Sequence, residues 1–331
     1  MPLLKVENLK VQFKTDEGIV RAVEGVSFDL QPGEAMGIVG ESGSGKSVTN
    51  LAIMGLVPQP PGRVVDGRVL YNGDDLLQMP TTRLASIRGR RIAMIFQDPM
   101  TSLNPFLTVA RQLTEVTMLH LGHRRDQALR HAVDMLHRVG IPSPEKRIHE
   151  YPHQFSGGMR QRVMIAMALS CKPDILIADE PTTALDVTIQ AQILDLMKQL
   201  QREEGTAIIL ITHDLGVVAS LCQRVKVMYA GRFVEEASVD DLFARPRHPY
   251  TLGLLQSVSR LDEEPGARLQ PIQGQPPDMV HPPSGCAFHP RCPFKAPPCD
   301  KEIPQLVASG EGNRLSCFVD VTTGELKARH A

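Results

Sequence analysis

Several features that would assign the chain to a broad class are missing from its sequence. The 36 lysines and arginines nearly balance the 37 aspartates and glutamates, so a net charge of -1 gives no electrostatic footprint for nucleic acid or anionic lipid. No apolar run approaches the roughly 18 to 20 residues that span a bilayer. The first residues lack the basic segment and long apolar core of a signal peptide. We therefore expect a cytosolic protein that reaches a membrane only through partners.

Internal repeats are also absent, and the composition instead changes near Asp240. Thirteen of the 26 prolines and four of the six cysteines follow this residue. Such a loop-rich segment needs a cross-link or a metal to hold one shape. The sequence therefore predicts one domain over residues 1–240 and an extension over residues 241–331.

The hydrophobic pattern of the first domain is typical of an α/β fold. Short apolar runs separated by turn residues predict antiparallel strands between Leu4 and Leu30. Helical periodicity dominates a predicted subdomain over about residues 98–168. Three apolar runs predict buried strands, and a helix connects the last two of them. These strands cover residues 35–39, 175–178 and 207–211, and the connecting helix covers residues 188–203.

A glycine-rich loop follows the first buried strand. Gly40-Glu41-Ser42-Gly43-Ser44-Gly45-Lys46-Ser47 fits the pattern G-x-x-x-x-G-K-[ST]. The glycines let backbone N–H groups surround a phosphate, and the following helix start adds about half a positive charge. Lys46 can reach the β- and γ-phosphates of a nucleotide, and the Ser47 hydroxyl can coordinate Mg²⁺. A chance glycine turn is the alternative, against which the flanking strand and helix argue.

A pair of acids ends the second buried strand. Asp179 and Glu180 would lie at its carboxyl end, where α/β sheets bind ligands. There Asp179 would hold Mg²⁺ and Glu180 would polarise the attacking water. An isolated acidic pair is more often a helix cap or a solvated edge. Together with the glycine loop it indicates a nucleotide-hydrolysing site.

The segment ahead of the acidic strand narrows the family. Phe155-Ser156-Gly157-Gly158-Met159-Arg160-Gln161 resembles the ABC signature, usually LSGGQ, although Phe155 and Met159 depart from it. Ser156 and the N–H groups of Gly157 and Gly158 would form a second anion-binding helix start. The resemblance implies a P-loop NTPase with a RecA-like core, an antiparallel β subdomain and a helical subdomain. It also implies head-to-tail pairing of two subunits, with each ATP between one glycine loop and the other subunit's signature.

Four further residues match elements of the ABC ATPases in the order of the family. Gln97 matches the glutamine that links Mg²⁺ to the membrane partner, and Asp186 in Ala184-Leu185-Asp186 matches the D-loop at the dimer interface. His213 matches the switch histidine that contacts the γ-phosphate. Phe13 matches the aromatic residue that stacks on adenine. Taken alone, His213 would be a capped or exposed histidine and Phe13 a core residue.

Two segments resemble the dipeptide and oligopeptide importers within this family. They are Gln97-Asp98-Pro99-Met100-Thr101-Ser102-Leu103-Asn104-Pro105 and Arg247-His248-Pro249-Tyr250-Thr251. The resemblance implies an ATP-hydrolysing subunit that drives peptide uptake at the cytoplasmic face of a bacterial inner membrane. Its implied partners are a second, different ATP-binding subunit, two transmembrane permease subunits and a periplasmic substrate-binding protein.

Other functions stay open beside peptide import. Relatives carry nickel, haem precursors or antimicrobial peptides. Soluble ABC ATPases of DNA repair or translation carry coiled-coil insertions or tandem cassettes, which this sequence lacks. A scaffold role for the extension is a third reading, against which the intact set of catalytic residues argues.

The cysteines of the extension follow the spacing C-x5-C-x6-C-x17-C. Cys286, Cys292, Cys299 and Cys317 fit neither zinc ribbons nor common ferredoxin patterns, and cytosolic thiols are normally reduced. Zinc and an iron–sulfur cluster suit four thiolates equally, and free thiols or redox chemistry stay open. The resemblance to the peptide importers implies a [4Fe-4S] cluster on these cysteines, with zinc as the alternative.

Overall fold

The structure, a computed structural model, describes residues 1–183, 185–257, 271–310 and 312–327, apart from the side chains of residues 99 and 100. The strands in these ranges are β1 Leu4–Thr15, β2 Gly18–Leu30, β3 Ala35–Val39, β4 Gly62–Tyr71, β5 Asp74–Asp75, β6 Ile92–Ile95, β7 Ile175–Asp179, β8 Ala207–Ile211, β9 Arg224–Tyr229, β10 Arg232–Ser238, β11 Val307–Ala308 and β12 Arg314–Leu315.

The helices in the same ranges are α1 Lys46–Ile53, α2 Thr81–Ile87, α3 Pro99–Ser102, α4 Val109–Leu121, α5 Arg125–Arg138, α6 Pro144–Arg147, α7 Gly157–Leu169, α8 Val187–Glu204, α9 Leu215–Leu221, α10 Val239–Ala244 and α11 Pro249–Gln256. Short 3-10 helices cover Pro152–Gln154 and His289–Arg291. None of these helices is both long and apolar enough to cross a bilayer.

The chain forms two compact units, each assembled from separate stretches of sequence. The first unit contains residues 1–3, 30–35 and 78–211, and the second contains residues 4–29, 36–77 and 212–331. The predicted extension therefore shares a unit with β1 and with the segment that follows β3. The domain boundary near residue 240 stays a prediction.

A parallel sheet organises the first unit. Strand β7 pairs with β6 on one side and with β8 on the other, with Ile95 opposite Ala178 and Ile211 opposite Asp179. Every residue of the three strands is buried, which explains their uninterrupted apolar sequences. Helices α4, α5 and α7 pack against one another in the helical part of the unit. Because β6 and β7 are parallel neighbours, the segments that follow them start at the same edge of the sheet.

Two sheets organise the second unit. Strands β2, β1, β4 and β5 form one sheet, in which β1 runs antiparallel to β4 with Phe13 opposite Gly62. In the other, β3 pairs in parallel with β9, and β10, β12 and β11 follow in antiparallel order. Helix α1 packs against β1. The predicted α/β fold is confirmed by this arrangement and by that of the first unit.

Candidate functional site

The glycine loop (residues 40–47) connects β3 to α1 in a conformation that needs glycine. Gly43 and Gly45 have φ angles of 79° and 104°, in the left-handed region that residues with a Cβ rarely adopt. A Cβ on Gly45 would collide with the carbonyl oxygen of Ala22, and a Cβ on Gly40 would collide with that of Met228. The glycines therefore occupy positions where the loop turns tightly or where neighbouring backbone leaves no room for a side chain.

Lys46 opens α1, and its ammonium group turns back into the loop. The Nζ atom donates to the carbonyl oxygens of Gly40 at 2.7 Å and Glu41 at 2.8 Å, and it lies 3.3 Å from Ser44 Oγ. The residue is only 6% exposed, so these acceptors offset the desolvation of its charge. Gly231 N–H donates to the Ser44 carbonyl at 2.9 Å and fixes the loop from outside.

The chemistry of the loop fits a Mg²⁺-bound nucleotide. Ser47 lies half-buried in the first turn of α1, and Ser42 and Gly43 are exposed. A buried ammonium, N–H groups at a helix start and a hydroxyl oxygen are the groups that bind phosphate and its magnesium ion. The loop can therefore hold the phosphates and offer one oxygen ligand to the metal.

The acids at the end of β7 differ in burial and in backbone conformation. Asp179 is 3% exposed, whereas Glu180 is half-buried. Glu180 has a φ of 48°, an unfavourable left-handed conformation for a residue with a side chain. Its N–H donates to the Ile211 carbonyl at 2.8 Å, and its Oε2 accepts from Thr183 Oγ1 at 3.1 Å. Strained backbone conformations of this kind are common at functional sites.

Gln161 supports this turn, although it was predicted only as a member of the signature segment. It is a fully buried residue of α7 whose Nε2 donates to the carbonyl oxygens of Glu180 and Pro181. The helix that follows the signature therefore holds the residue proposed to activate water. The position of Gln161 within the signature segment was the available signal, since Arg160 and Arg162 on either side are also polar.

Gln97 follows β6 and is exposed at the sheet edge where Asp179 and Glu180 follow β7. The next residue, Asp98, accepts hydrogen bonds at its carbonyl from Thr101 Oγ1 at 3.2 Å and Ser102 Oγ at 2.7 Å. The fold thus places Gln97 and the acidic pair at the same edge of the sheet in the first unit.

The signature residues form the start of α7. Ser156 is the N-cap, and its Oγ accepts from Met159 N–H at 3.3 Å. A Cβ on Gly157 would meet nothing within 4 Å, so packing inside the chain does not require glycine there. Phe155, where the family usually has leucine, is buried in the core. The departure at Phe155 is therefore a substitution of one apolar core residue by another.

The D-loop residues lie at the start of α8. Asp186 is exposed and caps the helix, since its Oδ1 accepts from Ile189 N–H at 3.0 Å. Ala184 lies outside the described residues. Val187, directly after the cap, is 84% exposed, which is unusual for an apolar side chain. An exposed acid and an exposed valine therefore lie side by side.

His213 and Phe13 belong to the second unit. His213 is exposed in the turn before α9, where Asp214 N–H donates to Thr212 Oγ1 at 2.9 Å and Asp214 caps the helix. Phe13 is half-buried in β1, and its ring leaves no room for a Cβ on Gly62. Both side chains have the exposure that contact with a nucleotide requires.

The prediction of a [4Fe-4S] cluster is wrong. Cys286, Cys292, Cys299 and Cys317 line one cavity, so the sequence grouped them correctly in space. However, the described part of the chain contains no cluster of three or more His, Cys, Asp or Glu side chains that could hold a metal ion. Burial raises the pKa of Cys286 to about 11 and that of Cys292 to about 12, and it also raises the pKa of Cys317. Among the residues that the structure describes, the zinc alternative lacks support on the same ground.

Comparison with known proteins identifies the family. Residues 23–183 match the protein-family model described as "ABC transporter", and residues 234–299 match "Oligopeptide/dipeptide transporter, C-terminal region". The chain is 53% identical to the dipeptide transport ATP-binding protein DppD of Bacillus subtilis over 99% of this chain and 97% of that protein. It is also 53% identical to the oligopeptide transport ATP-binding protein OppD of Salmonella typhimurium over 96% of this chain and 94% of that protein.

Solved structures agree with this result. The dimeric structure of a post-hydrolysis state of the ATP-binding cassette MJ0796, bound to ADP and Pi, has a TM-score of 0.66 and 28% sequence identity. The matched region covers 71% of this chain and 98% of that cassette. The chain therefore belongs to the ATP-binding proteins of ABC transporters, in the dipeptide and oligopeptide importer family.

Proposed function

We propose that this ABC ATPase drives the uptake of dipeptides or short oligopeptides across a bacterial inner membrane, from the cytoplasmic face. The single observation that carries its ATPase role is the glycine loop, with the buried Lys46 ammonium turned into it. The substrate class is supported by relatives that are dipeptide and oligopeptide transport proteins over almost the whole chain.

The glycine loop, residues 40–47, binds the triphosphate of ATP in this proposal. Lys46 contacts the β- and γ-phosphates, and Phe13 stacks on the adenine ring. Ser47, Asp179 and Gln97 supply oxygen ligands for Mg²⁺, which neutralises charge on the phosphates when bound. The fit of hydroxyl, carboxylate and amide oxygens to this ion supports the assignment.

Hydrolysis requires a group that orients water and one that contacts the γ-phosphate. Glu180 takes the first role as general base, and His213 takes the second. The strained backbone of Glu180 and its support by Gln161 favour this assignment, because strained residues that are held by neighbouring groups are common at functional sites.

A second ATP-binding subunit completes the site. Ser156, Gly157 and Gly158 meet the nucleotide bound to that subunit, and Asp186 lies at the interface between the two chains. The open space around Gly157 supports this role, because a ligand can approach its backbone closely. The further partners are two transmembrane permease subunits and a periplasmic binding protein, through which the chain contacts the membrane.

Transport by the complete complex tests this function. The complex is reconstituted into vesicles that enclose ATP and Mg²⁺, with the nucleotide-binding side facing the lumen and the binding protein outside, and ATP-dependent uptake of a labelled dipeptide is measured. We expect uptake by the wild type and none with Lys46→Ala, which should also lose ATP binding because the loop then lacks its cation. Uptake of nickel or haem without dipeptide uptake would contradict the proposed substrate class and assign a different one. Undiminished ATP affinity of Lys46→Ala would contradict the assignment of the loop.

A further inference from the structure

Two contacts from the C-terminal extension converge on one residue of the glycine loop. The carboxylate of Glu41 accepts from Arg291 Nη1 at 2.6 Å and from Nη2 at 2.9 Å. The backbone N–H of Glu41 donates to the Tyr250 hydroxyl at 2.7 Å. The extension therefore fixes both the side chain and the backbone of this loop residue.

The surroundings of Arg291 distinguish its ion pair from an ordinary surface pair. Its side chain is 5% exposed, and its Nε donates to the Gln273 carbonyl at 3.0 Å. The guanidinium carbon lies 5.9 Å from the ring centres of both Tyr229 and Phe288, within cation–π range. A partly buried, two-pronged pair of this kind has defined geometry, whereas fully exposed pairs contribute little.

Tyr250 is anchored equally firmly. It is fully buried, and its ring packs against Tyr229 and Phe288 at centre distances of 4.6 and 5.4 Å. At the preceding turn, Glu235 of β10 accepts from the N–H groups of Arg247 and His248 at 2.8 and 2.9 Å. The Tyr250 ring is therefore held by its aromatic neighbours and by the turn before it, in addition to the contact of its hydroxyl with the loop.

The contact reaches the phosphate-binding groups through Glu41 itself. Its carbonyl oxygen accepts from Lys46 Nζ at 2.8 Å and from Ser44 N–H at 3.2 Å. A displacement of the Glu41 backbone would therefore disturb both of these hydrogen bonds within the loop. In addition, an unpaired carboxylate in this loop would repel the phosphates of a nucleotide, and the Arg291 cation neutralises it.

We propose that Arg291 and Tyr250 are positioning residues for nucleotide binding, through which the extension holds the glycine loop ready for ATP. This inference rests on the proposed binding of ATP by the loop. Arg291 and Tyr250 then set the nucleotide affinity of the ATPase through their contacts with Glu41.

A double-mutant cycle on the full chain tests the proposal with a fluorescent ATP analogue and Mg²⁺ as the probe. We expect Arg291→Ala to raise the Kd about ten-fold, a common coupling for residues in contact. Glu41→Gln in the Arg291→Ala background should restore most of the affinity, because the unpaired carboxylate is then gone. A purely structural role of Arg291 would not give this rescue.

Other variants separate positioning from general damage. Tyr250→Phe removes the acceptor of the Glu41 N–H and should also raise the Kd. Arg130→Ala is the matched control, since it breaks the exposed Arg130–Asp126 pair of α5 and should leave the Kd unchanged. If Arg291→Ala fails to fold by circular dichroism, Arg291→Lys keeps the charge without the fork and should raise the Kd by a smaller factor.

The outcomes separate this inference from the proposed function. Wild-type affinity in folded Arg291→Ala, Arg291→Lys and Tyr250→Phe variants, with Lys46→Ala defective, would overturn the positioning role and leave ATP binding intact. Failure of the wild type itself to bind the analogue would instead overturn the proposed function.

Discussion

Glu180 combines an unusual backbone conformation with support from a distant part of the first unit. Its φ of 48° is held while Gln161 contacts the Glu180 and Pro181 carbonyls. The sequence predicted the acid from the end of an apolar strand, but it could not predict the conformation. That conformation is accompanied by two hydrogen bonds from Gln161, to residues that lie 19 and 20 positions away in the sequence.

At the residue scale, we expect Glu180→Gln to lower ATP hydrolysis by about 10²- to 10⁴-fold, the usual contribution of a general base. ATP affinity should be preserved, because the amide is isosteric with the carboxylate and carries no charge. Steady-state phosphate release and nucleotide binding of the assembled complex measure the two effects. Glu203→Gln, at an exposed site on α8, is the control. Near-normal turnover by Glu180→Gln would refute the role of general base.

At the scale of elements, the limits of strands and helices could be predicted where the hydrophobic pattern of the sequence is regular. Strands β3 and β8 have the predicted limits, and α8 differs from the prediction by one residue at each end. The extension could not be predicted in this way, because its short elements are fixed by long-range contacts. Its metal prediction failed since grouping of cysteines in sequence does not determine the arrangement of their sulfur atoms.

The start of α11 has a pH-sensitive cap. His248 is 1% exposed, and its Nδ1 accepts from Tyr250 N–H at 3.1 Å, which requires neutral imidazole. Burial, together with the charge of Lys327, lowers its pKa to about 3. Between this value and the unfolded pKa of about 6.5, a proton binds only the unfolded chain, so stability falls as pH decreases.

We expect this group to remove about 2 kcal/mol of unfolding free energy between about pH 7 and pH 5. His248→Asn should reduce that dependence, because asparagine caps a helix but does not titrate in this range. Urea unfolding of both chains at several pH values measures the difference. Equal pH dependence in the two chains would contradict the assignment to His248.

At the scale of the whole molecule, two exposed sites are not explained by packing within the described residues. Val187 is 84% exposed beside Asp186, and Gly157 has open space where a side chain would fit. The sequence predicted the need for a second chain from its signature and D-loop, but the exposure of Val187 could be seen only in the structure. Both features fit a face that is covered by a paired ATPase subunit.

We expect Val187→Glu to weaken ATP-dependent association with the second ATP-binding subunit, because a charge would then be desolvated at the contact. The comparison is made in the Glu180→Gln background, where slow hydrolysis prolongs the ATP-bound pair. Analytical ultracentrifugation measures association, and the ATP affinity of the isolated chain should not change. Leu119→Glu, which alters another exposed apolar residue, is the matched control. Undisturbed pairing by Val187→Glu would place the interface elsewhere.

The bond between Arg291 and Glu41 also limits how this ATPase can be shortened or recombined. A cassette cut before the extension would retain an acidic side chain in its phosphate loop and lose the cation that pairs with it. It would also uncover the Tyr229 ring on which that cation lies. A functional minimal cassette therefore needs a neutral residue in place of Glu41, and exchange of extensions between relatives should preserve both members of the pair.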